Sequence, residues 1–403
     1  MLIKKMLVVV FAFVLLVSFS TSIMAIDYSP EVTEWLQENQ FGPYQEEDID
    51  YDELYEKAKE EGKVVVYASS SRGPAALEAG NWEEKYPEVE VEWNTLGTQG
   101  TVERLIREQE AGIYNVDVLN MSDYPTQLNV LAQAEMIFSW TPPELRDVID
   151  EQWQHPISAH RFAARVLAYN TEVHDSPPID NLWELTEPEW EGNIILVDPR
   201  TEASVTDQMM TLVSNADEMA EAYENYYGEE IELSTPNASY EWIRGVINNN
   251  PHVVPKSSDA YPLVGEQGQE NPPIAIGVAM THVRNAQDPA AGNPQFAPVT
   301  GVEPGSGAMV YPTLMNVAYN APNPNAAKLL MHFLYGDEEG GEGYTPWFVP
   351  GEWPARQDVT ETPEHPHDPE LQYNLQDLNY WFMDAAEAWQ IESEVFEFLT
   401  DEM

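Results

Sequence analysis

Cysteine is absent from the 403 residues. That excludes disulfides, thiol nucleophiles, zinc ribbons and thiolate-held iron–sulfur clusters. Basic residues are scarce: 18 Lys and Arg stand against 70 Asp and Glu, a formal charge of −52. Such a chain repels phosphate backbones and anionic headgroups, so nucleic-acid partners and membrane-surface roles are set aside. Long apolar runs are also lacking. The longest, Leu7 to Val17, falls short of the roughly 20 residues of a spanning helix. With Lys4 and Lys5 before it and small residues leading to Ala25, it reads as a secretory signal peptide over residues 1–25. The mature protein is expected to be exported, periplasmic, soluble and not membrane-spanning. No lipid-acceptor cysteine follows the run.

What is present suffices for packed cores. Hydrophobic residues make up 43% of the chain, with 12 Trp, 20 Tyr and 12 Phe, and disordered acidic chains have few such groups to bury. At about 100–200 residues per domain the length allows two or three units. The acids are spread along the whole chain, a pattern that reads as a halophile's adaptation to salt rather than a local cation-binding surface.

Along the chain, residues 27–50 read as a short helix near Val32 to Glu38 followed by a mobile linker. Tyr51 to Glu61 has helical spacing and stops at Gly62, where KVVVY (Lys63 to Tyr67) begins a continuous apolar run. Such a run predicts a buried strand of a parallel sheet covered on both faces. A helix over Pro74 to Lys85, a strand over Val89 to Trp93, a helix over Thr98 to Ala111 and a strand over Val116 to Asn120 follow. This alternation gives βαβ units and an open, doubly wound α/β sheet. A second unit has strands at Arg165 to Tyr169, Asn193 to Val197, Ile274 to Val278 and Ala308 to Ala318. Its helices are predicted at Thr201 to Ser214, Ser239 to Asn249 and Asn325 to Tyr335. Beyond Gly336 the chain reads as irregular, then helical and aromatic from Leu371 to Leu399.

Several segments, in order, carry a resemblance to a known family. They are EGKVVVYASSSR (Glu61 to Arg72), WEEKYPEVEVEW (Trp82 to Trp93), AGIYNVDVLN (Ala111 to Asn120), VLAYNT (Val166 to Thr171), PEWEGNIILVDP (Pro188 to Pro199), IAIGVAMTHVR (Ile274 to Arg284) and APNPNAAKLLMHFL (Ala321 to Leu334). On these, the chain from about Leu54 to Val359 resembles the periplasmic solute-binding proteins of ATP-binding-cassette importers, in the group that contains the ferric-iron binders. The resemblance implies a two-lobed, type II periplasmic-binding fold, each lobe an open, mostly parallel α/β sheet flanked by helices, with crossover strands as a hinge. It places the crossovers near Ala164 to Tyr169 and Val278 to Arg284. The implied division is residues 26–60 as an acidic extension and first helix, 61–163 with 284–335 as lobe 1, 164–283 as lobe 2, and 336–403 as a C-terminal segment.

Ferric-binding relatives carry adjacent tyrosines just before the position of Arg284; here Met280 and Thr281 stand there, and SSSRG after the first strand has no His. A ferric ion wants anionic oxygen donors, which a thioether and a neutral hydroxyl do not supply. Tyr226 and Tyr227 lie in an acidic helix far from that position and read as surface packing.

At the strand ends, Ser69, Ser70, Ser71 and Arg72 precede a helix, a placement that suits a carboxylate, phosphonate or phosphate. The same residues also serve as plain helix caps. Thr201, Ser204 and Thr206, near the start of the helix after Asp198-Pro199, are balanced between capping and ligand contact. Thr98, Ser122 and Thr281 sit at comparable turns, and the resemblance brings the strand of Tyr311 near the cleft. Trp347 and Trp353 read as core, Arg356 as a residue within reach of a ligand, His365 and His367 as surface residues, and Asn237 as a helix cap. No catalytic signature, metal-ligand spacing or cofactor motif is present.

The reading is a non-enzymatic solute-binding protein. Its small organic anion or zwitterion is held by Ser70, Ser71, Arg72, Thr98, Ser122, Ser204, Thr281 and Tyr311, and its partner is a permease. A monomer is expected, without cofactor or metal. Two alternatives stand beside it: a ferric-iron or other metal binder of the same family, and a secreted polysaccharide hydrolase.

Overall fold

The structure is a computed structural model that describes residues 27–336, 342–359, 361–369 and 371–403; the signal-peptide segment lies outside the described residues. Among the described residues no helix is long and apolar enough to cross a membrane.

Among the described residues twelve strands form one continuous, curled sheet. They are β1 (Lys63–Ala68), β2 (Glu90–Thr95), β3 (Val118–Met121), β4 (Ile137–Phe138), β5 (Ala159–Asn170), β6 (Ile194–Val197), β7 (His252–Val254), β8 (Ile274–Ala279), β9 (Phe296–Pro298), β10 (Met309–Ala318), β11 (Glu352–Pro354) and β12 (Trp381–Phe382). The main path runs β2-β1-β3-β10-β5-β8-β6-β7. Pairing is parallel within each lobe, where β1 lies between β2 and β3 and β6 between β7 and β8. Antiparallel pairing involves the central strands β10 and β5: β3, β4 and β5 pair so with β10, and β8, β9 and β11 with β5. The apolar runs explain this layout. Val64, Val65 and Val66 in β1 and Ile194 to Val197 in β6 are all buried, because helices cover both faces.

Strand β5 joins the lobes. Its first half pairs with β10 and its second half with β8 and β9, while β11 lies along its other edge at Arg161 to Ala163. Alternation along β5 puts Arg161, Ala163 and Arg165 on one face and Phe162 and Ala164 on the other. Tyr311 lies opposite Ala163 on β10 and Glu352 lies opposite Ala163 on β11, so both share the arginine face.

Three expectations require correction. The helix over Pro74 to Lys85 is two, Gly73–Ala79 and Trp82–Lys85. A Cβ at Gly80 would stand 2.2 Å from the Phe333 ring, and Asn81 turns the chain there with a left-handed φ of 54°. The stretch after the first helix (Pro30–Asn39) is docked on lobe 1 rather than being a mobile linker. Phe41 is fully buried, Arg146 donates to the Glu46 carbonyl at 2.6 Å, and Lys328 pairs with the Glu46 carboxylate at 2.8 Å. The last helix spans Ala385–Glu402, capped by Asp384, instead of starting near Leu371. Before it the backbone pairs β12 with β10.

Candidate functional site

Four of the ten arginines converge where the lobes meet. Arg72 arrives from lobe 1, on the turn after β1. Gly73 makes that turn possible, since a Cβ there would stand 2.1 Å from the Trp93 indole. Arg161 and Arg165 come from the shared strand β5. Arg284 comes from the 3-10 turn Met280–Asn285 that follows β8.

Two carboxylates answer them. Glu352 is delivered by the C-terminal segment through Gly351, whose φ is 84° and whose Cα passes so close to Met280 that a Cβ would lie 2.5 Å from that carbonyl oxygen. The Glu352 carboxylate pairs with Arg72, and the same oxygen is 3.5 Å from Arg161 Nε. Glu202, just before the helix Ala203–Ser214, pairs with Arg165 and accepts from the Ser257 backbone N–H at 2.8 Å. Arg165 also donates to Ser204 Oγ at 2.5 Å and to the Gly277 carbonyl at 3.1 Å.

The arginines are held in place from behind. His160 Nε2–H donates to the Leu334 carbonyl at 2.9 Å, which leaves Nδ1 to accept from Arg161 Nη1 at 3.1 Å. Full burial, and the Arg161 charge second, depress the His160 pKa to about 3, so the ring stays neutral as this pairing requires. The Arg161 guanidinium lies 5.3 Å from the Trp347 ring, a cation–π contact in a dry setting. His282, stacked on Tyr261 with centroids 4.6 Å apart, has its pKa lowered to about 4 by burial and then by Arg165, Arg284 and Arg72. A neutral imidazole thus stands among three guanidinium groups.

Several buried polar atoms of these residues and of neighbouring Tyr344 have no hydrogen-bond partner among the described residues: Arg161 Nε, Arg165 Nε, the Tyr344 hydroxyl and His282 Nδ1. Buried donors left unmatched are costly, and ligands commonly supply the missing partner. Tyr311 lies beside Arg165. Burial raises its phenol pKa, with Glu352, Asp207 and Glu202 adding to the rise and Arg165 opposing it. Asp207, one helical turn after Ser204, is pushed well above the ordinary carboxylate range by burial and by Asp123 and Glu392.

Of the residues singled out in the sequence, Arg72, Ser204 and Tyr311 meet in this cluster. Thr281 sits on the same 3-10 turn as His282, half-buried. Ser70 turns its Oγ to the Arg72 N–H at 3.2 Å, so it shapes the loop that presents the arginine. Ser71 is exposed, Thr98 lies in the first turn of the helix Gly97–Glu110, and the Ser122 carbonyl accepts from Gln127 Nε2 at 3.0 Å. None of these last three bonds or pairs with the arginines among the described residues. Two expectations need correction. Arg356 is 2% exposed and committed to Asp358 and the Gly336 carbonyl, so it is structural. His365 is buried, bonded to the Val283 carbonyl at 2.7 Å, because the C-terminal segment wraps back over that turn. Trp347 and Trp353 are core residues, Asn237 caps its helix, and Tyr226 and Tyr227 lie on the surface.

The sequence reading missed Arg161, Arg165, His282 and Glu352. The first two carried a signal, since residues four apart on a strand share a face and paired arginines inside an apolar strand are unusual. Glu352 carried none, because it reaches the site only through pairing with β5. A cavity of about 1110 Å³ lies on the opposite face of β5, lined by Trp153, Phe162, Trp353 and Phe382 among others. It has an aromatic floor and shares none of the four converging arginines. Among the described residues no three His, Cys, Asp or Glu side chains gather closely enough to hold a metal.

A family model described as bacterial extracellular solute-binding protein matches residues 67–341. No curated protein matches the chain. Solved structures similar in fold include iron-bound HitA from Pseudomonas aeruginosa, at 18% identity and TM-score 0.61 over 84% of this chain and 99% of that one. The apo ferric ion-binding protein A of Pasteurella haemolytica gives 14% identity and TM-score 0.60, covering 85% and 98%. Trichodesmium IdiA (FutA) in complex with iron and citrate gives 14% and 0.58, covering 85% and 99%. Family and neighbours alike are binding proteins rather than enzymes. With its two-lobed, type II α/β fold, this chain belongs to the bacterial extracellular solute-binding protein family.

Proposed function

We propose that the protein captures a small organic anion between its lobes in the periplasm and delivers it to a permease. One observation carries the reading: in a chain with 70 acids and 18 bases, four arginines converge on one point with two paired carboxylates between them. Buried guanidinium groups in excess of their counterions call for an anion, and arginine meets carboxylate or phosphonate oxygens with a planar fork. The donors come from lobe 1, from the shared strand and from the turn after β8. A ligand touching all three therefore favours the closed form, which is the form a permease distinguishes. Lobe 1 is taken as residues 61–163 with 284–335 and lobe 2 as 164–283.

Ferric iron is the second reading, supported by the iron bound in similar structures such as HitA and by Tyr311 standing beside Glu202, Glu352 and Asp207. The family's tyrosine position is filled by Met280, which is fully buried, and Thr281. Tyrosinate–iron bonds give a visible charge-transfer band, so titrating iron-free protein with a chelated ferric salt separates the two readings. A colourless product is expected. A visible band that disappears in Tyr311→Phe replaces the anion with the metal.

A further inference from the structure

We propose that Glu202 and Glu352 set the charge of the ligand: by cancelling two of the four guanidinium charges they leave a site matched to a dianion. The inference rests on the reading of the cleft as an anion site and adds what kind of anion it takes.

The count follows from the contacts. Arg165 is answered by Glu202, and Arg72 by Glu352. Arg161 shares the Glu352 oxygen already bound to Arg72, at 3.5 Å through a nitrogen that has no hydrogen bond. Arg284 has neither an ion-pair nor a hydrogen-bond partner among the described residues; it is repelled by Arg72 and, less strongly, attracted by the Glu352 carboxylate that Arg72 and Arg161 already share. Four positive charges therefore face two negative ones. The remaining titratable neighbours leave that balance unchanged. His282 and His160 are held neutral, Tyr311 and Tyr344 are pushed toward their neutral phenols, and Asp207 toward its protonated form.

Both carboxylates are placed by the backbone rather than by chance side-chain reach. Glu352 is fixed by the β11 pairing to β5 and by the close passage at Gly351. Glu202 is fixed by the Ser257 N–H, whose own hydroxyl accepts from the Ala279 N–H at 2.7 Å at the end of β8. Arg161 and Arg165 are 4% and 6% exposed. In such a setting each extra ligand charge is felt strongly, since Coulomb energies rise as the effective dielectric falls.

Sulfate and perchlorate test this directly, being tetrahedral anions of similar size that differ by one charge. Calorimetric titration at pH 8 and fixed ionic strength should show sulfate binding at least tenfold tighter than perchlorate, although perchlorate is the easier ion to dehydrate. Succinate should exceed monomethyl succinate by a similar factor. In Glu352→Gln the site gains one positive charge, so sulfate tightens more than perchlorate and the ratio widens. Glu202→Gln repeats the test from lobe 2 and serves if the first variant does not fold. Mono- and dianions binding within twofold of each other in the wild type, or a ratio unmoved in both variants, overturns the dianion assignment while leaving an anion site intact. Failure of all four anions to bind the wild type overturns the anion reading itself.

Discussion

At the residue scale the cleft is a balance of burial against charge, and His282 reports it. Its pKa is lowered to about 4 from an ordinary 6.5, first by burial and then by the arginines around it. Between these values the unfolded chain binds a proton that the folded one refuses, so the folded state loses stability as pH falls from about 6.5 toward 4 and recovers none below. A shift of this size corresponds to about 3 kcal/mol. His160, depressed to about 3, adds a loss of the same sign that extends lower. Asp117, Asp123 and Asp207, with raised pKa values, act in the opposite sense but equally in wild type and variant. Urea unfolding of wild type and His282→Gln at pH 7 and pH 4.5 should show a smaller acid loss in the variant, by up to about 3 kcal/mol; parallel losses would place His282 outside the arginine cluster. Arg72 was legible in the sequence because a polar loop directly follows a buried apolar strand. His282 was not, since a lone histidine gives no sign of the charges that fold around it.

At the element scale, the helix Ala385–Glu402 spans the two lobes. Near its start Asn129 of lobe 1 donates to the Ala385 carbonyl at 2.9 Å. Near its end Arg244 of lobe 2 binds Glu402 at 2.7 Å, Phe398 packs edge-on against Tyr240 with centroids 4.6 Å apart, and Leu399 is buried. Leu399→Ala should therefore lower unfolding stability by about 2–4 kcal/mol. Phe396→Ala on the same helix, at a side chain 44% exposed, should stay within about 0.5 kcal/mol of wild type. Equal losses in urea unfolding would mean that the helix does not dock as described. The strands and long helices were legible because their periodicity is strong: the predicted strand over Ile274 to Val278 differs from β8 by one residue. The predicted start of this last helix was wrong because residues 371–384 gain their structure from pairing and contact with distant elements, which local pattern does not encode. The same holds for Phe41 and Glu46, whose partners lie on other elements.

At the scale of the whole molecule, a chain of charge −52 gathers four of its ten arginines where the lobes meet. Family and two-lobed fold were legible because ordered segments along most of the chain carry them. The ligand set was legible only in part, since half of it is assembled by one shared strand and by a segment some 190 residues downstream of that strand. Surface carboxylates repel an approaching anion, so selectivity has to come from the buried arginines, where screening by salt is weak. Native mass spectrometry of freshly purified protein tests this account most directly. A retained adduct with the mass of a small organic anion, lost in Arg165→Met, is expected. An adduct with the mass of one iron and a matching loss of protons, retained in that variant, contradicts it.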